Sequence, residues 1–161
     1  MADQDLENPA HFKAIFGTKD KPRIKMSALL AEYEKIAKDE TTGKNADQLR
    51  VWRNPRKRAV AYWIKVVSDC YVDDITQYQT LDFRDWWLER IEVDGLKPRS
   101  ANKDLSHLNK MYRVVCKFHR IDHNKPFQGT NFSEGIEGEK IPLFAGLDRN
   151  RDLAGHRLYE R

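Results

Sequence analysis

The amino-acid sequence predicts an all-α domain, a bundle of four or five helices between a loose N-terminal arm and a C-terminal linker. Four segments repeat apolar residues at the three- and four-residue spacing of a helix face. Hydrophobic residues make up 40% of the 161, which is enough for a core, and charged residues make up 34%. All four tryptophans fall between residues 50 and 90, so we expect the core to centre there.

The first helix follows an arm at residues 1–23, which prolines and glycine interrupt. Ser27 is a candidate N-cap, because its hydroxyl can accept from a free N–H of the first turn. The apolar residues that follow at helical spacing are Leu29, Leu30, Tyr33, Ile36 and Ala37. The helix is predicted to end near Asp39, before turn-forming residues at 41–45.

The second helix is predicted to span residues 54–71, with Asn54 as N-cap and Pro55 at its first position. Residues 46–53 are predicted to form an earlier turn whose apolar residues suit the same face. The core stripe consists of Val60, Trp63, Ile64 and Val67. Residues 50–65 carry six basic residues and no acidic one, so the outer face is strongly basic.

The third helix is predicted to begin near Thr80 or Asp82 and to stop at Gly95. Its apolar residues are Phe83, Trp86, Trp87, Leu88 and Ile91. Its charge is opposite to that of the second helix, since residues 73–94 carry seven acidic residues and two basic ones.

The fourth helix is predicted to begin with Ser100 as N-cap and to end near residue 120. Residues 97–120 carry seven basic residues against Asp104 alone. Glycines interrupt the periodicity after this helix, which predicts a linker at residues 128–161 with a candidate strand at 140–144. Across the bundle, the side chains that we expect to be buried are Trp63, Trp86, Leu105, Leu108 and Tyr112.

The composition excludes several classes of protein. Cys70 and Cys116 are isolated on predicted helices, which favours free thiols in a reducing cytosol over a disulfide, and no Cys-x-x-Cys pair suggests zinc. We expect His119 to pack on the core, and His107 and His123 to lie in solvent. No apolar run reaches the roughly 20 residues of a membrane helix, and the acidic N-terminus does not resemble a signal peptide. We therefore expect a cytoplasmic protein with no membrane partner, metal, cofactor or small-molecule substrate.

The basic faces of the second and fourth helices have two interpretations. If the helices pack by their apolar stripes, both faces can lie on one side and match the phosphates of duplex DNA. Asn102 and Ser106 lie among these basic residues, and their side chains can hydrogen-bond base edges or phosphates. Alternatively, the basic residues form only a solvated face; a net charge of +4 does not decide between the two.

Six sequence features then occur in a characteristic order over residues 26–127. They are Leu29-Leu30-Ala31-Glu32-Tyr33, the basic helix at 54–71, the turn Val72-Asp73-Asp74-Ile75-Thr76, the aromatic group Phe83, Trp86, Trp87 with Leu88, the run Ser100-Ala101-Asn102-Lys103-Asp104-Leu105-Ser106-His107-Leu108, and Asn124-Lys125-Pro126-Phe127-Gln128-Gly129. This order resembles the N-terminal core-binding domain of phage-type tyrosine recombinases (integrases), which is a SAM-like helical bundle. The last feature departs from the family's usual Asn-Pro-Phe-x-Gly by the inserted Lys125.

The resemblance implies that residues 24–127 form a DNA-binding domain. In that family, the core-binding domain clamps the duplex together with a catalytic domain and further protomers, and its second and fourth helices face the major groove. The contact candidates carried over by motif are Ser100, Asn102, Lys103 and Ser106. Lys97 and Arg99 are placed to hold phosphate at the start of the fourth helix, and Lys110 lies further along it. On the second helix only the basic face matches, which gives Arg53, Lys57 and Arg58.

The chain is not expected to be an enzyme. Tyrosine recombinases cleave DNA with a tyrosine nucleophile that two arginines, a lysine and His/Trp residues support, in a separate C-terminal domain. Only 34 residues follow Phe127, and the family's His-x-x-Arg and Thr-Gly-x-Arg motifs are absent from them. Tyr159 is therefore interpreted as an ordinary residue, and residues 128–161 as a linker or the start of a missing catalytic domain.

Two other functions stay open at this point. The chain could be a helical protein-interaction domain whose tryptophan-rich segment docks a partner. It could also be a small phage regulator that binds DNA without a recombinase parent. A downstream segment with the recombinase Arg, Lys, His-x-x-Arg and Tyr would establish the parentage, and salt-dependent DNA binding would separate both DNA-binding functions from the first.

Overall fold

A computed structural model of the chain describes residues 21–134, and five α-helices make up most of this part. They are α1 (Leu29–Ile36), α2 (Lys38–Thr41), α3 (Ala46–Val66), α4 (Gln77–Asp94) and α5 (Pro98–Phe118), with 3-10 turns at Met26–Ala28 and Val72–Asp74. Between residues 21 and 134 the only β pairing is a single bridge between Lys25 and Tyr71, so the prediction of an all-α bundle is confirmed. None of these helices is both long enough and apolar enough to cross a lipid bilayer.

Helix α5 lies at the centre of the bundle and packs against α1, α3 and α4. Its inner face is buried through Ala101, Leu105, Leu108, Met111, Tyr112, Val115 and Cys116. The predicted burial of Trp63, Leu105, Leu108 and Tyr112 is confirmed. The prediction for Trp86 is wrong, because its ring is only partly buried where it packs against the core, 5.2 Å from the Tyr62 ring and 4.8 Å from the Arg90 guanidinium.

The N-cap of helix α3 lies nine residues before the predicted N-cap at Asn54. Asn45 is the N-cap, and it exchanges two hydrogen bonds with Gln48 in a capping box. The predicted separate turn at 46–53 therefore belongs to the same helix. Pro55 lies inside α3, where it removes one backbone donor without ending the helix. The helix also ends at Val66 rather than near residue 71.

Helices α4 and α5 also begin before their predicted starts. Thr76 caps α4 through a capping box with Gln79, so Thr80 lies inside the helix; Gly95 ends it in the left-handed conformation, as predicted. Pro98 takes the first position of α5, where its fixed φ angle suits a helix. Ser100, predicted as the N-cap, is therefore inside the first turn.

Ser27, the predicted N-cap of the first helix, binds a distant carboxylate instead. Its N–H and its hydroxyl donate to the two oxygens of Asp69 at 2.8 and 2.9 Å. These bonds lower the pKa of the Asp69 carboxyl, the backbone N–H having the largest effect. Ser27 lies in the 3-10 turn before α1 and joins this turn to the segment that follows α3 rather than capping its own helix.

The packed region extends beyond the predicted domain limits of 24–127 at both ends. At the N-terminal side, Lys21 pairs with Asp122 at 2.9 Å and Arg23 with Asp74 at 2.7 Å. At the C-terminal side, Thr130 and Phe132 are buried, although both belong to the predicted linker. The predicted strand at residues 140–144 lies outside the described residues.

One carboxylate links four elements of the bundle. Glu40 accepts hydrogen bonds from the Tyr33 hydroxyl at 2.8 Å and from Trp52 Nε1 at 3.3 Å, and it pairs with Lys110 at 2.6 Å and with Arg56 at 3.5 Å. Burial alone would raise the pKa of Glu40, but the bonds from Lys110 and Tyr33 lower it on balance. The ionised carboxylate is therefore the form that the folded state favours.

Glu40→Gln should lower the free energy of unfolding by about 1–3 kcal/mol at pH 7, since the amide cannot balance Lys110 and the buried Arg56. Folding lowers the pKa of Glu40 below its ordinary value of about 4.3. The stabilisation that comes from its negative charge should therefore be present above about pH 4.3 and be lost as the pH falls through the folded pKa. Urea unfolding at several pH values measures both effects. Glu34→Gln is the matched control, because it breaks only the surface pair with Arg53 and should cost less than about 1 kcal/mol. Equal losses in the two variants would contradict the proposed importance of Glu40.

Candidate nucleic-acid interface

The outer face of α5 carries a row of exposed residues at alternating four- and three-residue spacing. We call this row the basic stripe; it consists of Arg99, Lys103, Ser106, Lys110, Arg113 and Lys117. This spacing keeps all six side chains on one side of the helix, opposite the buried face. At about 1.5 Å per residue, the stripe is about 27 Å long.

Two open grooves lie along the basic stripe and meet at Ser106. The N-terminal groove has a volume of about 380 Å³ and is lined by Arg99, Asn102, Lys103, Ser106, His107 and Glu134. The C-terminal groove has a volume of about 820 Å³ and is lined by Ser106, Asn109, Lys110, Arg113, Val114, Lys117, His123 and Lys125. Both grooves thus combine several cations with amide, hydroxyl and imidazole groups.

Most cations of the basic stripe have no carboxylate partner within residues 21–134. Arg99, Lys103, Arg113 and Lys117 make no ion pair with any acid in that range, whereas Lys110 pairs with Glu40. Unpaired cations in a row create a positive potential that attracts a polyanion. This surface can therefore bind closely spaced phosphates.

The burial predicted for three histidines is only partly confirmed. His119 is partly buried beside Phe118 and lies 3.5 Å from Glu32, as expected for a residue packed on the bundle. His123, expected in solvent, is partly buried 5.8 Å from the Tyr112 ring. His107, also expected in solvent, is partly buried, and burial followed by the cations Arg56, Arg58, Lys110 and Lys103 lowers its pKa. His107 is therefore neutral at pH 7 and can both donate and accept a hydrogen bond.

Most basic residues of α3 pair with an acid of the bundle, whereas the sequence predicted that its basic face and that of α5 could both meet DNA. Arg53 pairs with Glu34 and Arg58 pairs with Asp104, each at 2.6 Å. Arg56 is buried over the Trp52 ring. Among the candidates on this helix, only Lys57 is exposed with no ion pair to an acid in residues 21–134.

Asp104 is a buried charge beneath the interface. Its side chain is fully buried, one oxygen accepts from Arg58, and the other finds no hydrogen-bond partner in the described part of the chain. Burial raises the pKa of Asp104, although the hydrogen bond from Arg58 acts in the opposite direction. That hydrogen bond raises the pKa of Arg58. The Arg58–Asp104 pair therefore fixes α5 against α3, while the removal of its charges from water costs free energy.

Arg58→Met should destabilise the fold by about 3 kcal/mol at pH 7, because it leaves the Asp104 carboxylate buried and unpaired. Folding raises the pKa of Asp104 above its unfolded value of about 3.9. The stabilisation that comes from protonating Asp104 is therefore fully present below about pH 3.9 and is lost as the pH rises through the folded pKa. The loss in Arg58→Met should therefore be smaller at pH 4.5 than at pH 7. Asp104→Asn, which removes the charge but keeps an acceptor, is the control and should not show this pH dependence. Chemical unfolding at the two pH values measures it, and equal losses at both would assign the effect to the missing arginine stem.

Asn102 holds the C-terminal segment instead of facing solvent. Its Oδ1 accepts from the Phe132 N–H at 2.7 Å, and its Nδ2 donates to the Phe132 carbonyl and to Glu134, both at 2.9 Å. Arg84 assists by donating to the Thr130 carbonyl at 3.1 Å, with its guanidinium 4.3 Å above the Phe132 ring. We call residues 128–134 the strap, since these contacts fasten them across α4 and α5.

Asn102→Ala should lower the free energy of unfolding by about 1–3 kcal/mol, because it leaves the Phe132 backbone groups without their partners. The sequence had instead suggested that the Asn102 side chain is free to bond base edges or phosphates. Ser106→Ala, which lies one turn further on the exposed face, is the control and should change stability by less than about 0.5 kcal/mol. Thermal unfolding of both variants tests the difference. A neutral Asn102→Ala would show that the strap does not contribute to stability.

The predicted site residues thus fall into three groups. Those on the basic stripe or at its N-terminal end are Lys97, Arg99, Lys103, Ser106 and Lys110. Those that bind a partner within the fold are Asn102, Arg53 and Arg58. The third group consists of Ser100, which lies partly buried in the first turn of α5, and Lys57, which is exposed on α3. Sequence reasoning did not select Arg113, Lys117, Asn109, His123 or Lys125, although the spacing from Ser106 to Lys110 extends directly to the first two.

The part of the chain outside residues 21–134 includes Tyr159, so the expectation for this residue is not addressed by the geometry. Between residues 21 and 134, no three His, Cys, Asp or Glu side chains lie close enough together to hold a metal ion. Cys70 and Cys116 are both free thiols, as predicted, and burial raises the pKa of the Cys116 thiol to about 11. Comparisons of the chain with protein-family models, with curated proteins and with solved structures give no match.

Proposed function

We propose that this chain binds duplex DNA through the basic stripe of α5, as the DNA-binding part of a tyrosine recombinase. The observation that supports this most directly is the row of exposed cations on one face of a 21-residue helix, four of them without an acid partner in residues 21–134. The resemblance in sequence supports the recombinase parentage, and α5 is one of the two helices that it implies as DNA contacts.

The dimensions of α5 suit a duplex. A stripe of about 27 Å corresponds to roughly eight base-pair steps of about 3.4 Å. The major groove, about 12 Å wide, admits an α-helix, and phosphates border it on both sides. Cations at both ends of the stripe would contact phosphates, and this would orient the helix in the groove.

The middle of the basic stripe is the best candidate for contacts with bases. Ser106, Asn109 and the neutral His107 lie there, where the two grooves meet. Hydroxyl, amide and neutral imidazole groups carry both donors and acceptors, which is what the pattern of base edges in the major groove requires. The cations then supply affinity, and these three residues supply sequence preference.

The other parts of the proposal follow from the recombinase resemblance. The partners would be duplex DNA and further protomers at a recombination site, in the cytoplasm, and strand cleavage would require a catalytic domain. The chain itself is expected to bind without cutting or joining DNA and to need no cofactor. The protein-interaction alternative has less support, because Trp63 and Trp87 are buried and Trp86 is packed between Tyr62 and Arg90.

Lys103→Ala/Arg113→Ala should weaken binding to duplex DNA of any sequence and reduce the slope of log K against log salt by about two units. Each phosphate neutralised contributes about 0.9 to that slope. Fluorescence anisotropy at several salt concentrations measures it. Lys38→Ala/Lys44→Ala is the matched control, because it removes the same charge from exposed positions outside α5. If both variants lose equally, the net charge and not the basic stripe determines binding; if the parent chain binds no DNA at low salt, the proposed function is wrong.

A further inference from the structure

We propose that the N-terminal groove is the docking site for the chain's own acidic segment at residues 134–139, which therefore competes with DNA for the basic stripe. The docking is inferred from contacts on α5, and the competition rests on the proposed function.

The strap brings the chain to this groove. Thr130 and Phe132 are buried, Arg84 binds the Thr130 carbonyl, and Asn102 binds the Phe132 backbone in both directions. These contacts hold residues 130–132 against α4 and α5. Residue 134 consequently lies at the start of the basic stripe.

Glu134 places a carboxylate in the groove. Its Oε1 accepts from Asn102 Nδ2 at 2.9 Å, and the side chain lines the groove together with Arg99 and Lys103. Glu134 is the one acidic residue among the residues that line either groove. The Glu134 carboxylate makes no ion pair with Arg99 or Lys103, but it lines the same groove that a DNA phosphate bound to these two cations would enter.

The residues that follow have the complementary composition. Residues 134–139 read Glu-Gly-Ile-Glu-Gly-Glu, with three acids and no base before Lys140. Five residues beyond Glu134 can extend about 17 Å. The distance along α5 from Lys103 to Arg113 is about 15 Å. The segment is therefore long enough to bring its other two carboxylates to Lys110 and Arg113.

Docking of this segment would lower the apparent affinity for DNA. A binding surface that is accessible only for a fraction of the time has its affinity reduced by that fraction. Because both competitors are anions on the same cations, DNA must displace the segment. A partner that holds residues 134–139 elsewhere would release the full affinity of the basic stripe.

The docking is tested without DNA by zero-length coupling with a water-soluble carbodiimide at low protein concentration, followed by peptide mass spectrometry. The expected product is an amide between Lys103 or Lys110 and a glutamate of residues 134–139, within one chain. Lys103→Arg keeps the charge but removes the amine that reacts. In this variant the amide at residue 103 should disappear, while an amide at Lys110 should remain. The docking is overturned if no coupling of this segment to α5 occurs.

The competition is tested by DNA anisotropy with Glu134→Gln/Glu137→Gln/Glu139→Gln. Its affinity should rise about tenfold if the segment occupies the groove nine-tenths of the time. Asp82→Asn/Asp85→Asn/Glu89→Gln on α4 is the matched control, because it changes the net charge equally at exposed positions. An equal rise in both variants overturns the competition. Coupling without any DNA binding by the parent chain overturns the proposed function but leaves the docking intact, whereas DNA binding without coupling overturns the docking alone.

Discussion

The arrangement of the molecule depends on the rotational setting of α5 about its own axis. One face of this helix is the central wall of the core and the opposite face is the basic stripe, so any rotation would expose apolar groups and bury cations. Three polar contacts to three different elements fix the setting: Asp104 with Arg58 on α3, Lys110 with Glu40 on α2, and Asn102 with Phe132 of the strap. The packing of the core and the orientation of the basic stripe are therefore stabilised by the same side chains.

The distribution of acidic partners decides which basic residues remain available to a ligand. Glu34, Glu40 and Asp104 bind cations of α3 at the junction of the helices. Most of the stripe on α5 faces away from these acids. The longest row of cations without acidic partners in residues 21–134 therefore lies on α5, although the sequence contains two basic helices. The net charge of +4 does not distinguish the two helices.

The sequence predicts what is local and leaves open what depends on tertiary contacts. The apolar periodicity predicted the helices and four of five buried residues, because the three- and four-residue spacing is a property of the helix itself. Helix starts were wrong where several capping residues compete, as at Asn45 and Asn54. For the site, Lys103, Ser106 and Lys110 could be selected from their spacing. The pairing of Arg53 and Arg58 could not, because their partners lie 19 and 46 residues away.

Asn102 shows how such a long-range contact changes a functional interpretation. An amide among cations on a proposed recognition helix has the chemistry of a base reader, yet this one already satisfies both backbone groups of Phe132. Releasing it would cost about 1 kcal/mol for each hydrogen bond and would detach the strap, and with it Glu134. In the proposed function, sequence readout is therefore assigned to groups that need no such rearrangement, Ser106, His107 and Asn109. A base contact by Asn102 could form only together with departure of the strap, so the position of the segment after α5 and the recognition of bases are physically coupled.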